Sequence, residues 1–235
     1  MQFLDFPTLV IIVVAAVVIF RLRSVLGQRT GFDDSEEYHK RDTGSQPTQP
    51  SNDNVVKLPT KNQKEAANKS DKTLEAINNY AKPRTKLNKG LKNIYEVDQS
   101  FSPASFLSGA DMAYEMIVMS FADGDNKVLK PLLSDEVFQG FNSVIQDRKT
   151  RNETVKSDFI GIDGSDIIDA KLDGSEAKVT VRFESQIVTA TYNADGEVIE
   201  GNEGEVVRVK DIWTFSRDTK SNNPNWKLIA TEAEG

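Results

Sequence analysis

The pattern of apolar and polar positions divides the chain into four parts. An apolar run, Leu9 to Phe20, comes first, and a polar stretch that is nearly free of aromatic residues follows from Gly27 to about Ser70. A basic segment comes next. From about residue 100 the apolar positions first repeat with a helical period and then, after Ser157, with a period of two. Helices followed by strands predict an α+β domain with an antiparallel sheet.

The apolar run at the amino terminus has the length of a membrane span. With its flanks it covers residues 3–22, and eighteen helical residues reach about 27 Å, close to a bilayer core. Basic residues follow the run and none precedes it, which favours an uncleaved anchor over a cleaved signal peptide or a buried core helix. The predicted anchor residues are Leu9, Val10, Ile11, Ile12, Val13, Val14, Val17, Val18, Ile19 and Phe20.

Three arginines set the predicted orientation of this anchor. Arg21, Arg23 and Arg29 lie just after the apolar run, and positive residues near a span stay on the cytoplasmic side. We therefore expect a single-pass protein with its carboxy-terminal domain in the cytoplasm.

The next two segments are predicted to be a tether and a contact surface. Residues 23–70 are a predicted flexible linker, since such polar sequence buries too little apolar surface to offset its chain entropy. Residues 71–99 are a predicted basic, partly helical segment, in which Pro83 ends a short helix at 71–80. Its side chains either contact anionic head groups or form a solvated basic linker. They are Lys82, Arg84, Lys86, Lys89 and Lys92.

Residues 100–235 form the predicted folded domain. Its first helix begins at Ser102 and Pro103, a short helix follows around 128–133, and Ser134 caps a third helix. The apolar stripe of the first helix consists of Phe106, Leu107, Ala110, Ala113, Tyr114, Ile117, Val118 and Phe121.

Four strands are predicted after the helices. They cover residues 158–174, broken at Gly164, then 177–192, 205–218 and 225–232, with a glycine-rich connection before the third. Alternation places Asp211 and Trp213 on the same face of the third strand. Trp226 begins the inward face of the fourth, so the two tryptophans should pack against each other or against the same helix. A ligand-stacking platform is the alternative to paired core aromatics.

Charge and composition narrow the function. Residues 100–235 carry 14 basic and 24 acidic groups, a net charge of -10, whereas residues 54–99 carry 10 basic and 5 acidic groups. An acidic domain of this kind is a poor nucleic-acid binder. There is no cysteine, and the single histidine, His39, lies in a polar tract, which excludes thiolate chemistry and histidine-rich metal sites. We expect no cofactor.

The candidate chemistry lies at two inward-facing residues. Asp211 and Tyr114 could serve an isomerisation next to a carbonyl at the bottom of an apolar pocket. No histidine supports such a reaction, and Asp211 is more readily a buried acceptor of hydrogen bonds from the backbone or a basic side chain. The full set predicted to line a core or cavity is Phe106, Tyr114, Ile117, Phe121, Phe138, Phe141, Phe183, Asp211, Trp213, Phe215 and Trp226.

Four motifs carry a resemblance to a known family. They are "FLSGADMAYEMIVMSFADGD", "LLSDEVFQGFNSVIQDR", "GEVVRVKDIWTF" and "NPNWKLIAT", and the last two are the more specific. From about Phe101 to its end, the chain resembles the Tim-forty-four-like (Tim44-like) domain family, which includes bacterial members called TimA. The resemblance implies a nuclear-transport-factor-two-like cone, in which helices pack into the concave face of a curved antiparallel sheet and leave an apolar cavity.

The resemblance also implies a role at a membrane. The mitochondrial member associates with the inner membrane and its anionic lipids, and its amino-terminal part recruits a heat-shock chaperone. Residues 27–99 show no motif that would carry the recruitment over. Because the chain lacks an arginine-rich transit peptide, we expect a protein of the bacterial inner membrane.

The function predicted from the sequence is that of a non-enzymatic, membrane-tethered adaptor. It would contact membrane lipid and a client polypeptide, chaperone or membrane protein complex in protein transport or membrane-protein biogenesis. Three alternatives stay open: a periplasmic assembly subunit of a type IV secretion system, a membrane ribosome receptor, and a small-molecule isomerase of the same fold.

Overall fold

The computed structural model describes residues 61–233 of the chain. The predicted anchor at residues 3–22 and most of the predicted linker at residues 23–70 lie outside the described residues. The last ten residues of that linker are described, and they belong to a helix. Among the helices of residues 61–233, none is both long and apolar enough to cross a membrane.

Five helices precede the strands in the described residues. They are α1 (Lys61–Tyr80), α2 (Lys86–Val97), α3 (Pro103–Asp123), α4 (Asn126–Leu132) and α5 (Asp135–Thr150). The hydroxyl of Ser102 caps α3 and that of Ser134 caps α5, each by accepting a hydrogen bond from the backbone three residues later. Gly124 ends α3 in the left-handed conformation that favours glycine. The three predicted helices of the domain are thereby confirmed.

The strands form one antiparallel sheet. They are β1 (Thr154–Asp173), β2 (Glu176–Tyr192), β3 (Val198–Gly201), β4 (Val207–Asp218) and β5 (Lys227–Ala233). The order across the sheet is β1-β2-β4-β5, and β3 pairs with the end of β2. The α+β class is as predicted. The glycine-rich connection contains the short strand β3, which the sequence analysis read as loop.

Strand β1 runs past Gly164 without the break that the sequence predicted. The chain accommodates its glycines in β-bulges instead, since the register with β2 shifts between Phe159 and Gly161, between Ile162 and Gly164, and again before Asp169. A bulge inserts an extra residue and bends the strand. The break predicted at Gly164 is therefore a bend within one long strand.

The core lies between the helices and one face of the sheet. Every second residue of β2 from Ala177 to Phe183 is fully buried, as the alternation predicted. The opposite face carries Thr180 and Thr214, whose hydroxyls lie 3.0 Å apart. The helices therefore cover one face of the sheet.

Helices α1 and α2 belong to the same core. Ile77, Leu91 and Ile94 are fully buried, and the buried side-chain amide of Asn88 donates to the carbonyl of Ala81 at 2.9 Å. The predicted start of the domain, at residue 100, falls inside this packed unit. The basic composition of residues 71–99 conceals this narrow apolar face in the sequence.

The carboxy-terminal hairpin is held by an aromatic cluster and an ion pair. Trp226 packs against Phe106 of α3, with ring centroids 4.9 Å apart, while Trp213 packs against Tyr114 of the same helix at 4.5 Å. This is the second of the two predicted arrangements. The guanidinium of Arg217 lies over the Trp226 ring and pairs with Asp98, which joins the hairpin to the end of α2.

Replacing Gly90 by Ala should separate α2 from β1. A Cβ at this position would lie 1.9 Å from the carbonyl oxygen of Ala170, which is backbone and cannot move aside without shifting the strand. We expect the free energy of unfolding to fall by about 1–3 kcal/mol, measured as a lower urea midpoint at unchanged slope. Gly140→Ala in α5 is the control, because nothing lies within 4 Å of its Cβ position. Equal losses in both variants would contradict this packing role.

Candidate functional site

An open cavity of about 540 Å³ lies between the sheet and helices α3 and α5. Its inner end is formed by the buried rings of Tyr114 and Trp213. Its mouth lies near β3, where Ile199 is 48% exposed. Apolar walls come from α3, α5, β1, β2 and β4, and they include Ile117, Val118, Phe121, Phe141, Val144, Val155, Ile187, Val207 and Val209.

A hydrogen-bonded series lies at the inner end of the cavity. The hydroxyl of Tyr114 donates to Oδ2 of Asp211 at 2.7 Å, and Oγ of Ser185 lies 2.9 Å from the same hydroxyl. Tyr114 comes from α3, Ser185 from β2 and Asp211 from β4. The predicted inward position of Asp211 is correct. Its partner, however, is a phenol rather than the backbone or basic group that the sequence analysis expected.

Burial governs the protonation of this series. Removal from water raises the pKa of Asp211 to about 6, although the hydrogen bond from Tyr114 acts in the opposite direction. Burial, followed by the negative charge of Asp211, raises the pKa of Tyr114. The tyrosine therefore stays a neutral donor, while the aspartate can exchange a proton near neutral pH.

Charged side chains surround the mouth of the cavity. Arg151 forms two hydrogen bonds with Glu153, at 2.7 and 2.9 Å. The guanidinium of Arg148 lies 4.6 Å from the centre of the Phe121 ring and donates to the carbonyl of Phe121. Burial, together with the nearby charge of Glu153, raises the pKa of Glu200. Both arginines at the mouth are therefore already engaged by protein groups.

The residues predicted to line a core or cavity divide into two groups. Those that reach the cavity are Tyr114, Ile117, Phe121, Phe141, Asp211 and Trp213. Those that pack in the core away from it are Phe106, Phe138, Phe183, Phe215 and Trp226. Sequence reasoning missed Ser185 and Arg148. The inward alternation of β2 could have revealed Ser185, but the basic end of α5 gave no sign that Arg148 turns toward the cavity.

The predicted basic residues lie around the turn between α1 and α2. Lys82, Arg84, Lys86 and Lys89 are exposed and Lys92 is half-buried. Nζ of Lys86 lies 3.3 Å from a carboxylate oxygen of Asp169, so its charge is partly offset. The other four have no such partner among the described residues. We call these four, Lys82, Arg84, Lys89 and Lys92, the basic turn.

A helical layer over one face of an antiparallel sheet, with an open apolar cavity between them, defines a small α+β domain. The sequence model of the Tim44-like domain matches residues 87–233. The chain therefore belongs to the Tim44-like domain family, and the resemblance drawn from its motifs is confirmed.

Similar proteins of known name support this membership. The human mitochondrial import inner membrane translocase subunit TIM44 is 25% identical over 64% of this chain and 34% of its own length. The probable Caenorhabditis elegans subunit tin-44 is 24% identical over 66% of this chain and 37% of its own length. The chain thus spans about a third of the length of these relatives.

Solved structures give only distant likenesses. The intermembrane space region of the chloroplast protein ARC6 is 10% identical over 64% of this chain and 98% of that chain, with a TM-score of 0.36. A ketosteroid isomerase-like protein from Erwinia carotovora atroseptica is 12% identical over 55% of this chain and 96% of that chain, with a TM-score of 0.31. Scores this low bear on neither fold nor function.

Asp211→Asn should remove a pH dependence of stability. Because the pKa of Asp211 rises from its ordinary 3.8 to about 6 on folding, the folded protein binds this proton more tightly than the unfolded chain does. The contribution of Asp211 to the free energy of unfolding of the wild type should therefore fall between about pH 4 and pH 6, by at most about 3 kcal/mol. Urea denaturation of both proteins at pH 4 and pH 7.5 measures the difference.

The control for this measurement is Asp173→Asn, which changes an exposed carboxylate at the far end of β1. The stability of the Asp211 variant relative to the wild type should increase from pH 4 to pH 7.5, whereas that of the control should stay constant. A constant difference in both would mean that Asp211 is not a desolvated carboxylate.

Proposed function

We propose that this chain is a non-enzymatic adaptor, tethered to a membrane, whose Tim44-like domain contacts membrane lipid and client or partner proteins in protein transport. The observation that carries the proposal is the basic turn, since it is an exposed positive surface on an otherwise acidic domain. Membership of the family supports it, because the relatives named above are subunits of an inner membrane translocase.

The position of the basic turn supports a contact with anionic lipid. Lys82 and Arg84 lie on the short connection between α1 and α2, and Lys89 and Lys92 lie in the first two turns of α2. A basic residue near an anionic surface contributes about 1 kcal/mol, and the attraction decays within a Debye length of about 8 Å in physiological salt. The domain would therefore be held close to the membrane by this end.

The outer face of α3 supports a contact with another protein. Met112 and Met116 lie one turn apart on the side of α3 that faces away from the core, and they are 61% and 47% exposed. Flexible, polarisable methionines suit adaptable binding surfaces. We infer that a client or partner polypeptide packs here.

The remaining parts of the proposal come from the sequence. The predicted anchor would fix the chain to a bacterial inner membrane, and the predicted linker up to about residue 60 would let the domain move near it. The cone-shaped fold that the resemblance implies is consistent with helices on one face of a sheet with a bulged edge strand.

Neutralising the basic turn should weaken binding to anionic vesicles. We would change its four residues to Gln in a protein that lacks residues 1–26, so that the predicted anchor does not contribute. Binding at low salt should weaken by up to about 1 kcal/mol per residue, measured by co-sedimentation with vesicles that contain an anionic phospholipid.

The matched control makes the same change of charge at exposed positions elsewhere. The control residues are Lys127, Lys130, Lys149 and Lys220. If the control set weakens binding as much as the basic turn does, the effect is one of net charge, and the proposed membrane-facing end is wrong.

A reporter of topology fused to the carboxy terminus should give a cytoplasmic signal. The arginines after the predicted anchor favour this side, and moving three positive charges before Leu9 should shift the signal toward the other compartment. A periplasmic signal from the unmodified chain would instead favour the type IV secretion alternative.

A further inference from the structure

The hydrogen-bonded series at the inner end of the cavity leaves a free acceptor and no free donor. A phenol carries one proton, and that of Tyr114 goes to Asp211. The hydroxyl of Ser185, which lies 2.9 Å from the Tyr114 oxygen, must then donate to it. Every proton of the series therefore points toward the carboxylate of Asp211.

One oxygen of that carboxylate lacks a protein donor. A carboxylate accepts hydrogen bonds at both oxygens, yet within residues 61–233 Asp211 receives one bond, from Tyr114 to Oδ2. Asp211 also lines the cavity, so Oδ1 is available to a guest. A purely apolar guest would remove this oxygen from water without replacing the bond, which is unfavourable.

The charges around the cavity also favour a hydrogen-bond donor over an anion as the guest. Two arginines face four carboxylates: Asp211, Glu153, Glu200 and Glu232. Arg151 is paired with Glu153, and Arg148 lies on the ring of Phe121 and donates to its carbonyl, so an anion would compete with protein partners at both arginines. An anionic guest would thus meet balanced charges at the mouth and the carboxylate of Asp211 at the inner end.

We propose that the cavity binds a single-chain amphiphile that inserts a hydrogen-bond-donating head group, a hydroxyl or a protonated amine, toward Oδ1 of Asp211. Its alkyl chain lies along the apolar walls toward Ile199 at the mouth. The volume of about 540 Å³ falls within the range typical of small-molecule sites, about 300–1,000 Å³. This site is separate from the basic turn, so cavity binding and vesicle binding can fail independently.

Three probes of equal length test the proposal. Octylamine, octan-1-ol and octanoate would be titrated calorimetrically into the full chain in detergent at pH 7.5. The amine and the alcohol should bind at least about tenfold more tightly than octanoate, because only they donate to the carboxylate. Equal binding of the three probes, tighter binding of octanoate, or no binding at all would overturn the proposal.

Two variants separate the head-group contact from general partitioning. Asp211→Asn places an amide that can itself donate, so the preference for the amine over octanoate should fall to within about twofold; Asp173→Asn should keep it. Val144→Trp fills the cavity from α5 and serves as the background control. Any heat of binding that is still measured with this variant comes from partitioning of the probe into the detergent. A preference that survives in the Asp211 or the Val144 variant would show that the contact lies elsewhere.

Discussion

The packing of Tyr114 against the sheet is the contact on which the rest of the domain depends. Its ring stacks on Phe183 at 4.5 Å and touches Trp213 at the same distance, while its hydroxyl reaches β2 and β4 through Ser185 and Asp211. One side chain of α3 thereby fixes the helix to the two central strands. It also lies between the aromatic cluster of Phe106 and Phe215 and the open cavity.

Local spacing predicted much of this arrangement, and contacts distant in sequence account for what it missed. The helical stripe of α3 and the alternation of β4 depend on neighbouring residues, so Asp211 could be placed inward from the sequence alone. Its partner Tyr114 lies 97 positions away. Both were predicted to face inward, but no pattern in the sequence shows that they form a hydrogen bond with each other. The packing of helices α1 and α2 into the core was missed for a related reason. Their few apolar residues, such as Leu91, are recognisable as core residues only once Gly90 is known to pack against β1.

The basic turn and the mouth of the cavity lie toward opposite ends of the long strand β1. The basic turn is near Asp169 at one end of β1, as the contact with Lys86 indicates, whereas the mouth of the cavity is near Val155 at the other. At about 3.3 Å per residue, the intervening strand spans on the order of 40 Å. A flat membrane that touches one end therefore leaves the other directed away from it.

The bulges of β1 have a consequence for solubility. Within the described residues, β1 lies at the edge of the sheet with β2 as its strand partner, and a straight edge strand of twenty residues would offer its free backbone groups to any neighbouring copy. Kinks at Gly161 and Gly164, with exposed aspartates at 158, 163 and 166, make such edge-to-edge joining unfavourable. A second copy of the chain therefore meets fewer backbone groups in register along this edge than a straight strand of the same length would present.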